Sequence, residues 1–259
     1  MDKAFYMIEF KAGACLFDIK LNDVSVFSLN MDKFISMTLP VNNLILESGV
    51  QQLSATVLPL LGEIALDDNV SFGMTVKLHN DTGTSLQHVE DILTYTIPEN
   101  TKENPLPVVE YHTTFNASVP YKITAWQNSV DLRDFPDLRN MLDRICKTIE
   151  HLVNTKQYDR FVDMLSERED NVSIAMYFTP EEKKGRMQRL VDDFKSGFTM
   201  VPFSLDEAII VYYAQGKVIT LVKSDLESAF RFVNTETGEE LNLEMRFHLK
   251  RGSTELSII

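Results

Sequence analysis

Residues 14–29, ACLFDIKLNDVSVFSL, decide how the amino half of this chain is read, because they crowd two carboxylates, an amide and a lysine into one short stretch. A cation-binding loop and a β-hairpin could both offer such a cluster, and hydropathy separates them. Cys15, Phe17, Ile19 and Leu21 alternate with Leu16, Asp18, Lys20 and Asn22. Successive side chains of a strand point to opposite faces, so this is a half-buried strand with a largely polar outer face. Asn22-Asp23 suits a turn, since both residues tolerate left-handed backbone and bond their own chain. Val24 and Val26 then resume the alternation. The spacing is not that of a calcium loop, which needs ligands at alternate positions, a central glycine and a closing glutamate. Asp18, Lys20, Asn22 and Asp23 are therefore read as a solvated strand face and a hairpin, and no metal is expected.

The same alternation runs outward through residues 4–12, 34–40, 42–48, 51–60, 70–80 and 108–123, all read as strands. Ser48-Gly49, Pro59, Leu61-Gly62 and Asn80-Asp81 punctuate them. Short strands at regular spacing predict an antiparallel all-β sandwich. Residues 84–107 break the period and end in an Asn/Pro/Glu-rich loop, with room for a short helix.

A boundary is placed near Asn128, giving a sandwich domain over 1–128 and a second domain over 129–259. All ten arginines lie at or beyond Arg133. Residues 1–128 hold seven lysines and fifteen acids, a net −8, whereas 129–259 hold eighteen basic residues and twenty-three acids, a net −5. The hydrophobic period also changes there from that of strands to that of helices.

In residues 129–154, Asp134 is placed to cap a helix and Pro136 suits its first turn. Leu138, Met141, Leu142, Ile145, Cys146, Ile149, Leu152 and Val153 form its apolar stripe. A shorter helix carries Tyr158, Phe161, Val162 and Leu165. Residues 171–179 alternate Val172, Ile174, Met176 and Phe178 and predict a strand. Thr179, Pro180 and Glu182 make a capping box for a third helix, and Gly197 suits its end. Residues 208–222 form a hairpin turning at Gln215-Gly216, 229–249 a second hairpin, and 253–259 a last strand. The fold class expected is α+β, with helices packed on a curved antiparallel sheet. This order of helix, helix, strand, helix and antiparallel strands over 129–259 resembles the SnoaL/ketosteroid-isomerase-like α+β cone. The resemblance implies a curved sheet that wraps helices around a pocket, with a carboxylate base and a tyrosine/acid pair in the isomerase branch. It assigns no residue of this chain.

Function is bounded mainly by exclusion. The chain has 259 residues and a net charge of −13. Neither nucleic acid nor an anionic membrane surface suits that charge, because both select clustered cations. A protein partner, basic in character, or a small neutral ligand suits it better. Glu9 interrupts the only apolar run near the start, so no secretory signal is expected, and no run is long enough to span a membrane. The N-x-Ser/Thr matches at Asn80, Asn116 and Asn171 are then chance, and the expected location is cytoplasmic. Cys15 and Cys146 lack any metal or redox spacing and read as buried thiols. No nucleophile-elbow, zinc-helix or phosphate-loop motif occurs, and no cofactor is expected. The five histidines are scattered; His248 falls on the polar side of its strand and His151 on a helix surface. Residues 168–171, REDN, read as a solvated loop, and adjoining Asp192 and Asp193 face apart.

Three ligand-binding candidates stand out. Tyr212 and Tyr213 lie on opposite strand faces, so one points inward, either as packing or as a pocket donor. Trp126 is the single tryptophan, joined by Tyr95, Tyr111 and Tyr121 as aromatics a sugar would need. The leading expectation is a non-enzymatic interaction protein, one form of which is an immunity-type partner of a basic protein. A small-molecule, hydrolase or isomerase-type pocket in the second domain, and carbohydrate recognition by the sandwich, are the alternatives.

Overall fold

The computed structural model describes residues 3–100 and 105–259, and the chain divides into two units, Met1–Ile123 and Thr124–Ile259. The first is the expected antiparallel sandwich. Its strands are β1 (Lys3–Gly13), β2 (Cys15–Leu21), β3 (Val24–Met31), β4 (Ile35–Pro40), β5 (Gly49–Leu58), β6 (Ser71–Asp81), β7 (Leu86–Thr96) and β8 (Val109–Ala117). One sheet has the order β4-β1-β6-β7 and the other β3-β2-β5-β8.

The quoted stretch is indeed a hairpin. Leu21 pairs with Val24 across Asn22 and Asp23, whose φ angles are 53° and 59°. The Asn22 amide also donates to the Leu44 carbonyl at 2.8 Å, fastening the turn to the neighbouring loop. Asp18 accepts from Ser25 at 2.7 Å on the polar face, while Phe17, Ile19 and Leu21 are fully buried. Phe17 meets Phe10 and Phe72 of the opposite sheet at ring-centroid distances of 5.4 and 5.6 Å. Ring contacts of this kind add to the area each ring removes from water.

Two readings in this unit are corrected. Residues Asn42–Leu44 form a 3₁₀ turn instead of a strand. The buried Asn42 side chain takes the Tyr6 backbone N–H and donates to Ala4 O, work that a strand residue would leave to its ladder. Residues 86–96 are the edge strand β7, not a helix; the strand is exposed on both faces over 86–91, which erases the period-two signal. Residues 101–104 of the same stretch lie outside the described residues.

The second unit is α+β, with helices packed on antiparallel sheet. It contains α1 (Leu138–Asn154), α2 (Tyr158–Met164), α3 (Ser166–Ala175), α4 (Pro180–Lys195), β9 (Phe198–Met200), β10 (Ile209–Tyr213), β11 (Val218–Val222), β12 (Arg231–Asn234), β13 (Glu240–Asn242), β14 (Arg246–His248) and β15 (Ser257–Ile258). The sheets have the orders β10-β11-β14-β15 and β13-β12-β9. All eight apolar positions read for α1 are buried. Phe161, Phe194 and Phe232 meet at 5.0–6.1 Å and Phe230 meets Phe247 at 5.6 Å, so rings fill the space between helices and sheets.

Thr179 and Glu182 make the capping box of α4, and Gly197, at φ 121°, follows its end. Gly216, at φ 85°, closes the β10–β11 hairpin where the chain passes close by: a Cβ there would lie 2.2 Å from Asp131 Oδ1.

Three readings change here. Helix α1 begins at Leu138 after Asp137, which makes no side-chain cap, so Asp134 lies ahead of the helix. Residues 171–175 are helical, not a strand. The buried positions of α3 are Glu169, Ser173 and Ala175, while Ile174 is 46% exposed, so its inward side is polar and gives no helical hydropathy signal. Residues 229–249 divide between the two sheets: β12 and β13 form the hairpin, whereas β14 pairs with β11 and β15.

Candidate functional site

Tyr212 is half-buried and packs on the core of the second unit; Tyr213 is buried. Their neighbours across the ladder are Ile219 and Val218. Trp126 falls in the second unit, half-buried, where its carbonyl accepts the Ser129 N–H at 3.0 Å. Tyr95 and Tyr111 stack on one another at 3.8 Å, leaving each half-buried. None of these rings lines the groove described next.

The groove gathers around a residue whose reading is corrected. His248 is fully buried, not solvated. Residues on both sides cover it. Ser129 forms an antiparallel bridge with Lys250, and Val130 N–H donates to Leu249 O at 2.9 Å, so this segment lies beside the end of β14. Glu167, in the first turn of α3, approaches from the other side. A carboxylate is favoured there by the unpaired N–H groups of a helix start.

Three contacts link these groups. Ser129 Oγ and His248 Nδ1 are 2.8 Å apart. His248 Nε2 lies 3.3 Å from Glu167 Oε1, at ion-pair distance but without hydrogen-bond alignment. Lys250 Nζ lies 2.7 Å from Glu167 Oε2. Burial lowers the imidazole pKa below its ordinary 6.5, and Lys250 adds to this while Glu167 opposes it. The ring is therefore neutral at neutral pH. The tautomer that suits both neighbours accepts the Ser129 hydroxyl at Nδ1 and turns its Nε2 proton toward Glu167.

This order of serine, imidazole and carboxylate has the polarity of a nucleophile relay. Ser129 is only 3% exposed and His248 is 0% exposed, and Ser129 borders a depression in the surface. The contacts of 2.8 and 3.3 Å place Ser129, His248 and Glu167 in one row beside that depression.

Around Glu167 the surface is concave. One depression of about 350 Å³ is lined by Asn128, Ser129, Glu167, Lys250 and Arg251, among others. A second, of about 560 Å³, shares Glu167 and Lys250 and adds Asp170, Asn171 and Glu255. A third, of about 410 Å³, shares Ile145, Met164, Glu255 and Leu256 with the second and extends along Met141 and Arg144 of α1. Shared walls join the three into one groove, where Met141, Ile145 and Met164 sit beside Arg144 and Lys147 at the α1 end and the middle is ionic.

In the middle, Asp170 pairs with Lys183, whereas the exposed Glu255 carboxylate has no ion partner among the described residues. The buried Nδ2 of Asn171 has no hydrogen-bond partner among the described residues, an exception to the usual satisfaction of buried donors. The REDN stretch is thus a turn of α3 and not a solvated loop. Glu169 within it is buried between Arg168 at 3.1 Å and Arg186 at 3.2 Å, and Arg186 stands 5.1 Å from the Phe178 ring centroid. No group of three or more His, Cys, Asp or Glu side chains able to hold a metal forms among the described residues.

Fold and site together define a protein of two parts, an all-β sandwich and an α+β unit with a mixed-charge surface groove, lined by Glu167, Asp170 and Glu255 and by Arg144, Lys147, Lys250 and Arg251. Set against protein-family models, curated proteins and solved structures, the chain matches none.

Proposed function

We propose that the chain is a non-enzymatic interaction protein that holds a basic, extended polypeptide segment of a protein partner in the groove of its second unit. The observation that carries this reading is the central depression, where Glu167 pairs with Lys250 and Asp170 with Lys183, while the exposed Glu255 carboxylate has no ion partner among the described residues. Opposed charge at Glu255 speeds encounter and selects the partner, while Met141, Ile145 and Met164, flanked by Arg144 and Lys147, supply apolar area to bury. A net charge of −13 acts in the same direction over longer range. Neutralising a basic partner is one form this role takes.

A small neutral ligand is the second reading; ring pairs such as Phe194–Phe232 and Phe230–Phe247 pack inside this unit, which favours the surface groove as the place of binding. Among the described residues, no helix is long and apolar enough to cross a membrane. Cys15 and Cys146 are buried free thiols, pushed by burial to about 11 and about 12. Unpaired thiols suit a reducing compartment, which supports a cytoplasmic place of action.

A phage-displayed random peptide library panned on the full chain tests the reading. Selected peptides are expected to carry Lys or Arg beside an apolar residue. Their affinity should fall about tenfold with the double substitution Glu167→Gln, Glu255→Gln. No enrichment, or peptides indifferent to both substitutions, would overturn it.

A further inference from the structure

The sandwich carries a second surface that shares no residue with the groove. Ladder register brings one set of strand ends together: Gly13 pairs with Ser71, Cys15 with Met31, Ala12 with Ile35, Leu16 with Leu58, Gly73 with Thr96, and Val57 with Val109. The β3–β4, β5–β6 and β7–β8 connections all leave from this end. Among the described residues eleven large apolar side chains are exposed, and five of them lie here. They are Phe34 (65% exposed), Leu58 (36%), Leu61 (49%), Ile64 (93%) and Val108 (40%). Single exposed apolar residues are ordinary, but five on adjoining connections of one end mark an interaction surface.

The loops that carry them are braced. Asn100 is buried, and its amide donates to Leu66 O at 3.0 Å and Asp67 O at 2.9 Å, while its Oδ1 accepts the Leu106 N–H at 2.9 Å. Leu66 N–H donates to Leu106 O at 2.9 Å, and Leu61 N–H to Asn30 Oδ1 at 3.1 Å. Cross-ties between two loops hold Ile64 out in a fixed place, which reduces the ordering cost of an encounter.

Charge then selects the occupant. On the described parts of these connections the exposed carboxylates are Asp32, Glu63, Asp67, Asp68 and Glu99, against one cation, Lys33. Carboxylates on the same connections as the apolar side chains repel anionic lipid headgroups and repel a second copy of this surface. It complements a surface that is apolar at its centre and basic at its rim. We propose that this end of the sandwich docks a basic folded protein, with Ile64 and Phe34 at the centre of the contact.

A photo-cross-linking benzoylphenylalanine in place of Ile64, in the full chain within its native cell, tests this. The expected result is a discrete adduct to one protein of net positive charge. With that partner purified, Ile64→Asp or Phe34→Asp should weaken binding about tenfold or more, and added salt should weaken it further. Val50→Asp, at the opposite end of β5, should leave binding unchanged. Ile64 is almost fully exposed, so its substitution does not threaten folding. An adduct only to a second copy, to lipid or to an acidic protein, no adduct, or affinity indifferent to Ile64→Asp and Phe34→Asp would each overturn the proposal. Because Glu167→Gln acts on the groove alone, the two surfaces can fail separately.

Discussion

Buried between Ser129 and Glu167, the neutral imidazole of His248 makes folding depend on pH. Its folded pKa is lowered, chiefly by burial, below the 6.5 it has in an unfolded chain. Between those two values the unfolded state binds more protons than the folded one, so stability rises with pH across the window. It is lost as pH falls from 6.5 through the lowered value. His79, also lowered mainly by burial, adds a slope of the same sign. Thermal unfolding followed from pH 8 to pH 5, about 1.5 units either side of the ordinary histidine value, should show a falling Tm. His248→Gln should flatten part of that fall; an unchanged slope would show that the buried ring is not its source. His248 could not be read as buried from the sequence. Its strand alternates in the regular way, and what covers its polar side, Ser129, is 119 residues distant.

At the scale of elements, legibility followed the chemistry of the buried side. Helix α1 buries a fully apolar stripe, so its periodicity was visible and all eight positions hold. Helix α3 turns Glu169 and Ser173 inward, and the carboxylate is stabilised by Arg168 and Arg186. No hydropathy pattern marks such a face, and the local alternation of Val172, Ile174 and Met176 suggested a strand instead. Helix α4 was read from its ends. Thr179 accepts the Glu182 N–H at 3.2 Å, and Glu182 takes the Thr179 N–H at 2.7 Å. Thr179→Ala should therefore cost about 1 kcal/mol in chemical denaturation, with most helical signal retained. A change below measurement error would mean that the cap does not hold this terminus.

Over the whole chain, the sandwich and the α+β unit were legible because most of their elements bury apolar side chains at regular spacing. The groove was not. Residues 124–129, 141–148, 164–171 and 250–258 supply its walls from four separate stretches, and no one stretch taken alone marks a concave surface. Tyr212, Tyr213 and Trp126 stand out as rare or aromatic residues, yet the concave surface is built from carboxylates, amides, lysines, arginines and aliphatic side chains. The central claim is that this groove holds a basic segment. Hydrogen exchange of the full chain, alone and saturated with a basic peptide selected by panning, tests it most directly. The account predicts slowed exchange confined to residues 164–171 and 250–258 within the second unit. Protection elsewhere in that unit, with those two stretches exchanging as fast as in the free chain, would contradict it.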